Sequence, residues 1–152
     1  METKVEEYVD KIGLGGIVSQ DVGKYLNCSR EDMKGLSAEE CSEASILLSR
    51  ESMFIQNEIN RLQNKMDWAK FRLDQLIANE IDQYDKYMKD EYKRHLISRN
   101  SSAALEYHNI INEAQRYICR LSFIPTNLKQ LSDLFSHYGF SKRKAIESSR
   151  GY

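Results

Sequence analysis

Apolar residues recur at three- and four-residue steps through the middle of this chain: Ile55, Ile59, Leu62, Met66, Ala69, Leu73 and Leu76. This is the a/d seam of a heptad, and it predicts one long amphipathic helix. A second stripe shares that helix. At about 100° per residue, Arg61, Lys65, Trp68, Arg72 and Gln75 fall in a narrow sector to one side of the seam. A packing face therefore adjoins a basic face that carries a Trp, with the run Lys70-Phe71-Arg72-Leu73-Asp74 at the centre.

The spacing of Ser37 and Glu40 forms a capping box that starts the helix, and Leu36 stands where it can staple to Cys41. No Pro or Gly follows until Pro125. Extended backward, the seam falls on Ser45, Leu48 and Ser52; extended forward, it meets Glu80. Helical character is expected to continue through Tyr84, Tyr87 and Tyr92, with a bend near Asn79. A helix unbroken from Ser37 to Tyr92 would be roughly 80 Å long. A single chain of 152 residues cannot cover such a face unless it folds back or other chains help.

Arg99-Asn100-Ser101-Ser102 is the polar break that allows the fold-back. Beyond it Tyr107, Ile111, Ala114, Ile118 and Leu121 repeat the three-four spacing, which predicts an antiparallel αα-hairpin. Pro125 stops this second helix and biases Ile124 toward extended backbone. A last short helix is expected from a Thr126 or Asn127 cap to Gly139, with Leu128, Leu131, Leu134, Phe135 and Tyr138 along it. No later element follows to cover its apolar side, so these five residues are the expected oligomerisation surface. Lys142, Arg143, Lys144 and Arg150 form a basic tail.

The first 35 residues have the weakest pattern. Thr3 with Glu6 has capping-box spacing, Val5, Tyr8, Val9 and Ile12 give a short apolar face, and a second short helix is expected from Ser19 to Leu26. Gly13, Gly15 and Gly16 lack the spacings that cradle phosphates and read as a connector. Glu2, Glu6, Glu7, Asp10, Asp21, Glu31 and Asp32 outnumber Lys4, Lys11, Lys24, Arg30 and Lys34. The segment reads either as a solvated arm or as a contact for a basic protein partner. The expected organisation is an all-α protein with an acidic arm at 1–35, a helical hairpin core at 36–124 and an oligomerisation helix with basic tail at 125–152.

Composition narrows the chemistry. One Pro, seven Gly and 30% charged residues suit helices with a large solvated surface. The net charge of −1 means that any nucleic-acid site must come from local patterning. Cys28, Cys41 and Cys119 are odd in number and widely spaced, which reads as free thiols in a reducing compartment. No apolar run approaches the roughly 20 residues that span a bilayer, so the expectation is a soluble, cytosolic protein without membrane contact. His95, His108 and His137 lie on separate segments without a partner motif, and no zinc, Walker or HExxH spacing occurs. No catalytic group, metal or cofactor is expected.

The positive signal is Arg61, Lys65, Trp68 and Arg72, with Lys70 and Phe71 alongside. Cations neutralise phosphates, and an exposed aromatic offers a plane to an unpaired base, which suits single strands better than duplex. The alternative is a solvated charged face with Trp68 packed on the returning helix.

The run Ala69-Lys70-Phe71-Arg72-Leu73-Asp74 within a long helix resembles the KARLDY-type signature of the UvsY recombination mediators of T4-like phages. The order downstream is similar: Glu91 and Lys93 precede Leu96, a helix follows, and a short C-terminal helix ends in Gly139-Phe140 before a basic stretch. The likeness spans roughly Leu36 to Arg150, with Lys-x-Arg-Leu-Asp and the closing Gly-Phe its specific parts. Gln75 stands where the family has an aromatic, the insertion after Leu76 is helical in pattern rather than glycine-rich, and the N-terminal arm has no counterpart. The resemblance implies a non-enzymatic protein of an infected bacterial cell that binds single-stranded DNA and assembles into homo-oligomeric rings. It implies help to a RecA-like recombinase in displacing the single-stranded-DNA-binding protein, and it makes Lys70 and Arg72 DNA contacts. On an ideal helix these two point well apart, so both serve one DNA only if the strand wraps the helix or subunits share it. Two rival readings remain: a coiled-coil structural or virion-assembly protein, and a helical regulator that binds a host protein through its acidic arm.

Overall fold

The structure, a computed structural model, describes residues 20–151. The expected first helix around Val5–Ile12 and the glycine connector lie outside the described residues. Every regular element within them is helical: α1 (Gln20–Leu26), α2 (Arg30–Gly35), α3 (Ala38–Glu80), a 3-10 turn at Ile81–Gln83, α4 (Asp90–Asn100), α5 (Ser102–Leu121) and α6 (Ile124–Arg150). The all-α, hairpin-like architecture anticipated from periodicity is the one found.

Local chemistry sets the helix starts. At α3 the Glu40 N–H donates to Ser37 Oγ at 3.1 Å and the Ser37 N–H donates to Glu40 Oε2 at 2.7 Å, the reciprocal capping box read from the sequence. The same box forms at α2 between Ser29 and Asp32. That short helix escaped the periodicity, although its Ser-x-x-Asp spacing is a helix-start signal. Hydrogen bonds from the serine backbone and hydroxyl hold both Asp32 and Glu40 carboxyls below the usual carboxylate range.

The chain divides into two compact units. One takes the described residues up to Gln56 together with those from Phe123 onward. Here α6 runs antiparallel to the first part of α3. Ser52 Oγ donates to Pro125 O at 2.7 Å, and Ser132 Oγ donates to Ser45 O at 2.7 Å. Arg143 donates to Ser42 Oγ at 2.6 Å. The two serines that weaken the a/d seam therefore bond α6 instead of packing apolar bulk. Small residues let the backbones approach: a Cβ at Gly139 would stand 3.2 Å from Cys41 Cβ and 3.4 Å from Ala38 O. Leu48, Cys41, Ala44, Val22, Tyr25, Met33, Leu128 and Phe135 fill the core, and Tyr25 meets Phe135 edge-on with centroids 5.5 Å apart. Full burial of side chains such as Leu48 and Phe135 stabilises by about 1.5–3 kcal/mol each. Lys142 Nζ donates to the carbonyls of Met33, Lys34 and Leu36, which caps the C-terminal end of α2 with a cation.

The other unit is Asn57–Ser122. The second part of α3 pairs with α5, and Leu73, Ile77, Ile97 and Ala104 form a cluster on which Leu76, Ile81, Tyr84, Tyr107 and Ile111 pack. Of the predicted seam, Met66, Ala69 and Leu73 are buried, while Ile59, Leu62 and Leu76 are half-buried. Ser101 receives the Ala104 N–H and so caps α5 at the polar break.

Three expectations change. The long helix ends at Glu80 and does not reach Tyr92, because Ile81 and Tyr84 turn onto the Leu73–Ile97 cluster and α4 follows as a separate helix. Ile124 is helical rather than extended, because Pro125 sits in the first turn of α6, where its missing N–H and fixed φ are tolerated. Finally, α6 is not short: it passes through Gly139 and ends at Arg150, so the basic tail is its last turns. Gly139 serves close helix approach, not a C-cap.

Candidate nucleic-acid interface

The predicted site residues all lie on the second part of α3, within the Asn57–Ser122 unit. Arg61, Lys65, Trp68, Lys70 and Arg72 are exposed. The core-facing residues Met66, Ala69 and Leu73 alternate with them, so the 3.6-residue period that buries the seam also presents the cations.

Trp68 is 51% exposed. Its ring meets Tyr107 of α5 edge to face, with centroids 5.8 Å apart and planes at 78°. It touches the returning helix and keeps about half its surface in water. Arg61 is engaged by Glu58, with Nη2 to Oε2 at 2.9 Å and Nε to Oε2 at 3.1 Å. Arg72 Nη1 donates to Gln75 Oε1 at 3.3 Å, which steadies the guanidinium along the helix. Lys65 and Lys70 make no ion pair among the described residues.

Two carboxylates, Asp67 and Asp74, share this stretch. On the helical projection they lie roughly 100–120° around from Trp68, on the flank of Lys70. Asp67 accepts a hydrogen bond from Gln63 Nε2 at 3.0 Å. The Arg61–Lys65–Arg72 flank is thus cationic beyond Glu58, and the Lys70 flank is mixed. Phe71, outside the predicted set, is 60% exposed at the middle of the run. Its signal in the sequence is its place between Lys70 and Arg72, off the seam.

The predicted oligomerisation residues fare differently. Phe135 is fully buried and Leu128 nearly so within the chain's own core. Leu131 and Tyr138 are half-buried, and Leu134 is exposed. The premise that nothing in the chain covers this helix is corrected, because α3 covers one side of it. Phe140 and Ile146, also on α6, are exposed.

Among the described residues no group of three or more His, Cys, Asp or Glu is placed to hold a metal ion, and no helix is both long and apolar enough to cross a membrane. Cys28, Cys41 and Cys119 are all free thiols. No protein-family model, curated protein or solved structure matches the chain.

Proposed function

We propose that this protein binds single-stranded DNA through the exposed face of α3 and acts as a recombination mediator. One observation carries the DNA reading: Arg61, Lys65 and Arg72 stand exposed beside a half-exposed Trp68, with Lys70 exposed farther round the same helix, whose adjoining side is locked in the core. Cations along a rigid element neutralise phosphates, and the ring takes an unpaired base. The mediator role rests on the Lys-x-Arg-Leu-Asp resemblance: the protein would promote loading of a RecA-like recombinase onto DNA covered by single-stranded-DNA-binding protein. Self-association belongs to the same proposal, with exposed Leu134 and Phe140 on α6 as the surface offered.

The test is a salt titration on a labelled single strand and on duplex of equal length. Single strands should bind more tightly, and the affinity should fall steeply with salt. Changing Lys70 and Arg72 together to Ala should weaken binding and flatten the log–log salt slope by about 0.7 for each phosphate no longer neutralised. Both are exposed and Ala forms helix well, so melting should change little. A folded double variant with unchanged affinity and slope removes the reading. The mediator role is tested by recombinase filament assembly on protein-coated single strands, and it fails if adding this protein does not speed assembly.

A further inference from the structure

Phe71 is not part of the core, and its exposure needs a reason. It is 60% exposed, although it lies on a helix whose seam buries Ala69 and Leu73 on either side of it. Among the described residues its ring stacks on no other aromatic. It follows Trp68 by three positions, which makes the two side chains surface neighbours with a rise of about 4.5 Å between them.

Its position also resolves the divergence of Lys70 and Arg72. At about 100° per residue Phe71 lies midway between them, so the two cations flank the ring on opposite sides. A strand lying along α3 cannot reach both. A strand that crosses α3 over Phe71 meets Arg72 on one side and, past the carboxylates of Asp67 and Asp74, Lys70 on the other, with Trp68 one turn away.

From this geometry we infer that Phe71 is a second stacking plane, receiving the base next to the one on Trp68 while Lys70 and Arg72 hold the phosphates on either side. The inference rests on the proposal that this face binds single strands, and it adds the crossing direction and a residue to that site. Trp68 is held by Tyr107 through an edge. Two rings one turn apart require two unpaired bases in succession, which a duplex does not offer.

The experiment uses the full chain with Phe71→Ala, Phe71→Leu and Phe71→Tyr, alongside Trp68→Ala. The probes are a labelled oligothymidylate and a strand of equal length whose central residues are abasic. Phe71→Ala and Phe71→Leu should weaken oligothymidylate binding roughly 5- to 150-fold, the range for removing one stacked base, with the salt slope unchanged. Phe71→Tyr, which keeps the ring, should stay within about twofold of wild type. On the abasic strand all three variants should match wild type.

The inference is overturned if Phe71→Leu binds like wild type, or if the loss is as large on the abasic strand. It is overturned equally if the variants instead lower the mass in solution while affinity per chain holds, because Phe71 would then seat a second copy of the chain. The broader reading fails separately: wild type would bind neither strand, or Trp68→Ala would have no effect. Weaker binding with Trp68→Ala but not with Phe71→Leu sinks this inference alone.

Discussion

Trp68 and Tyr107 lock α3 to α5 through an edge-to-face contact, 5.8 Å between centroids and 78° between planes. Tyr107 also packs on the Leu73–Ile97 cluster, so it joins the exposed Trp to the core. Tyr107→Leu removes the aromatic pair and should destabilise by about 0.5–1.5 kcal/mol. Its effect on DNA affinity should be smaller than that of Trp68→Ala, which should cost roughly 1–3 kcal/mol of binding. Because Trp68 is the single Trp, its emission follows both events. Thermal melts and anisotropy on one oligonucleotide check the ordering.

Glu51 is only 8% exposed, and its Oε1 is buried without a hydrogen-bond partner. Burial pushes its carboxyl above the ordinary 4.5. A folded-state value above the unfolded one means that the folded chain holds this proton longer. The associated stability is fully present below the ordinary value and is lost as pH rises through the raised folded value. Glu51→Gln should therefore be more stable than wild type at neutral pH and lose that advantage on acidification. The cap carboxylates Asp32 and Glu40, with lowered values, act in the opposite sense, so only the difference between variant and wild type isolates Glu51. Urea melts at pH values from acidic to neutral provide it; parallel curves would refute the assignment.

Lys142 reaches three carbonyls at the end of α2. Lys142→Met keeps much of the apolar stem and removes the charge-assisted bonds, so α2 should fray at a cost of about 1–3 kcal/mol. Hydrogen exchange should show faster exchange at Met33 and Leu36, with amides of α5 unchanged. Uniform protection in the variant would mean that the cap contributes nothing measurable.

Phe135 and Leu134 are adjacent on α6 and should separate folding from association. Phe135→Ala removes a fully buried ring and should destabilise by about 3–5 kcal/mol. Leu134→Ser alters an exposed position and should change stability by no more than about 0.5 kcal/mol. If α6 joins subunits, Leu134→Ser lowers the mass seen by light scattering while the circular dichroism persists. An unchanged mass moves the interface off this part of α6.

The candidate site is legible in the sequence to the extent that it is local. Arg61, Lys65, Trp68 and Arg72 share one side of a single helix, and helical geometry alone puts them there. Phe71 is visible as part of the run, but not as an exposed ring. Nothing in its sequence neighbours shows whether another helix covers it.

Local interactions along the chain fix the helix faces and several of the helix starts. The three-four period of Met66, Ala69 and Leu73, the boxes at Ser37–Glu40 and Ser29–Asp32, and the break at Ser101 are interactions between residues close in the chain. Tertiary structure decided which surfaces remain free and where α3 stops. Lys142, which the pattern places in a loose basic tail, is committed to carbonyls 106 to 109 positions away. Phe135, which the pattern offers as an interface residue, is enclosed beside Tyr25, and Gly139, expected as a helix end, lies against Cys41. In each case the partner is distant in the chain. Which of several apolar or charged faces meets it depends on the competition among all the ways of burying them, and no local period records that competition.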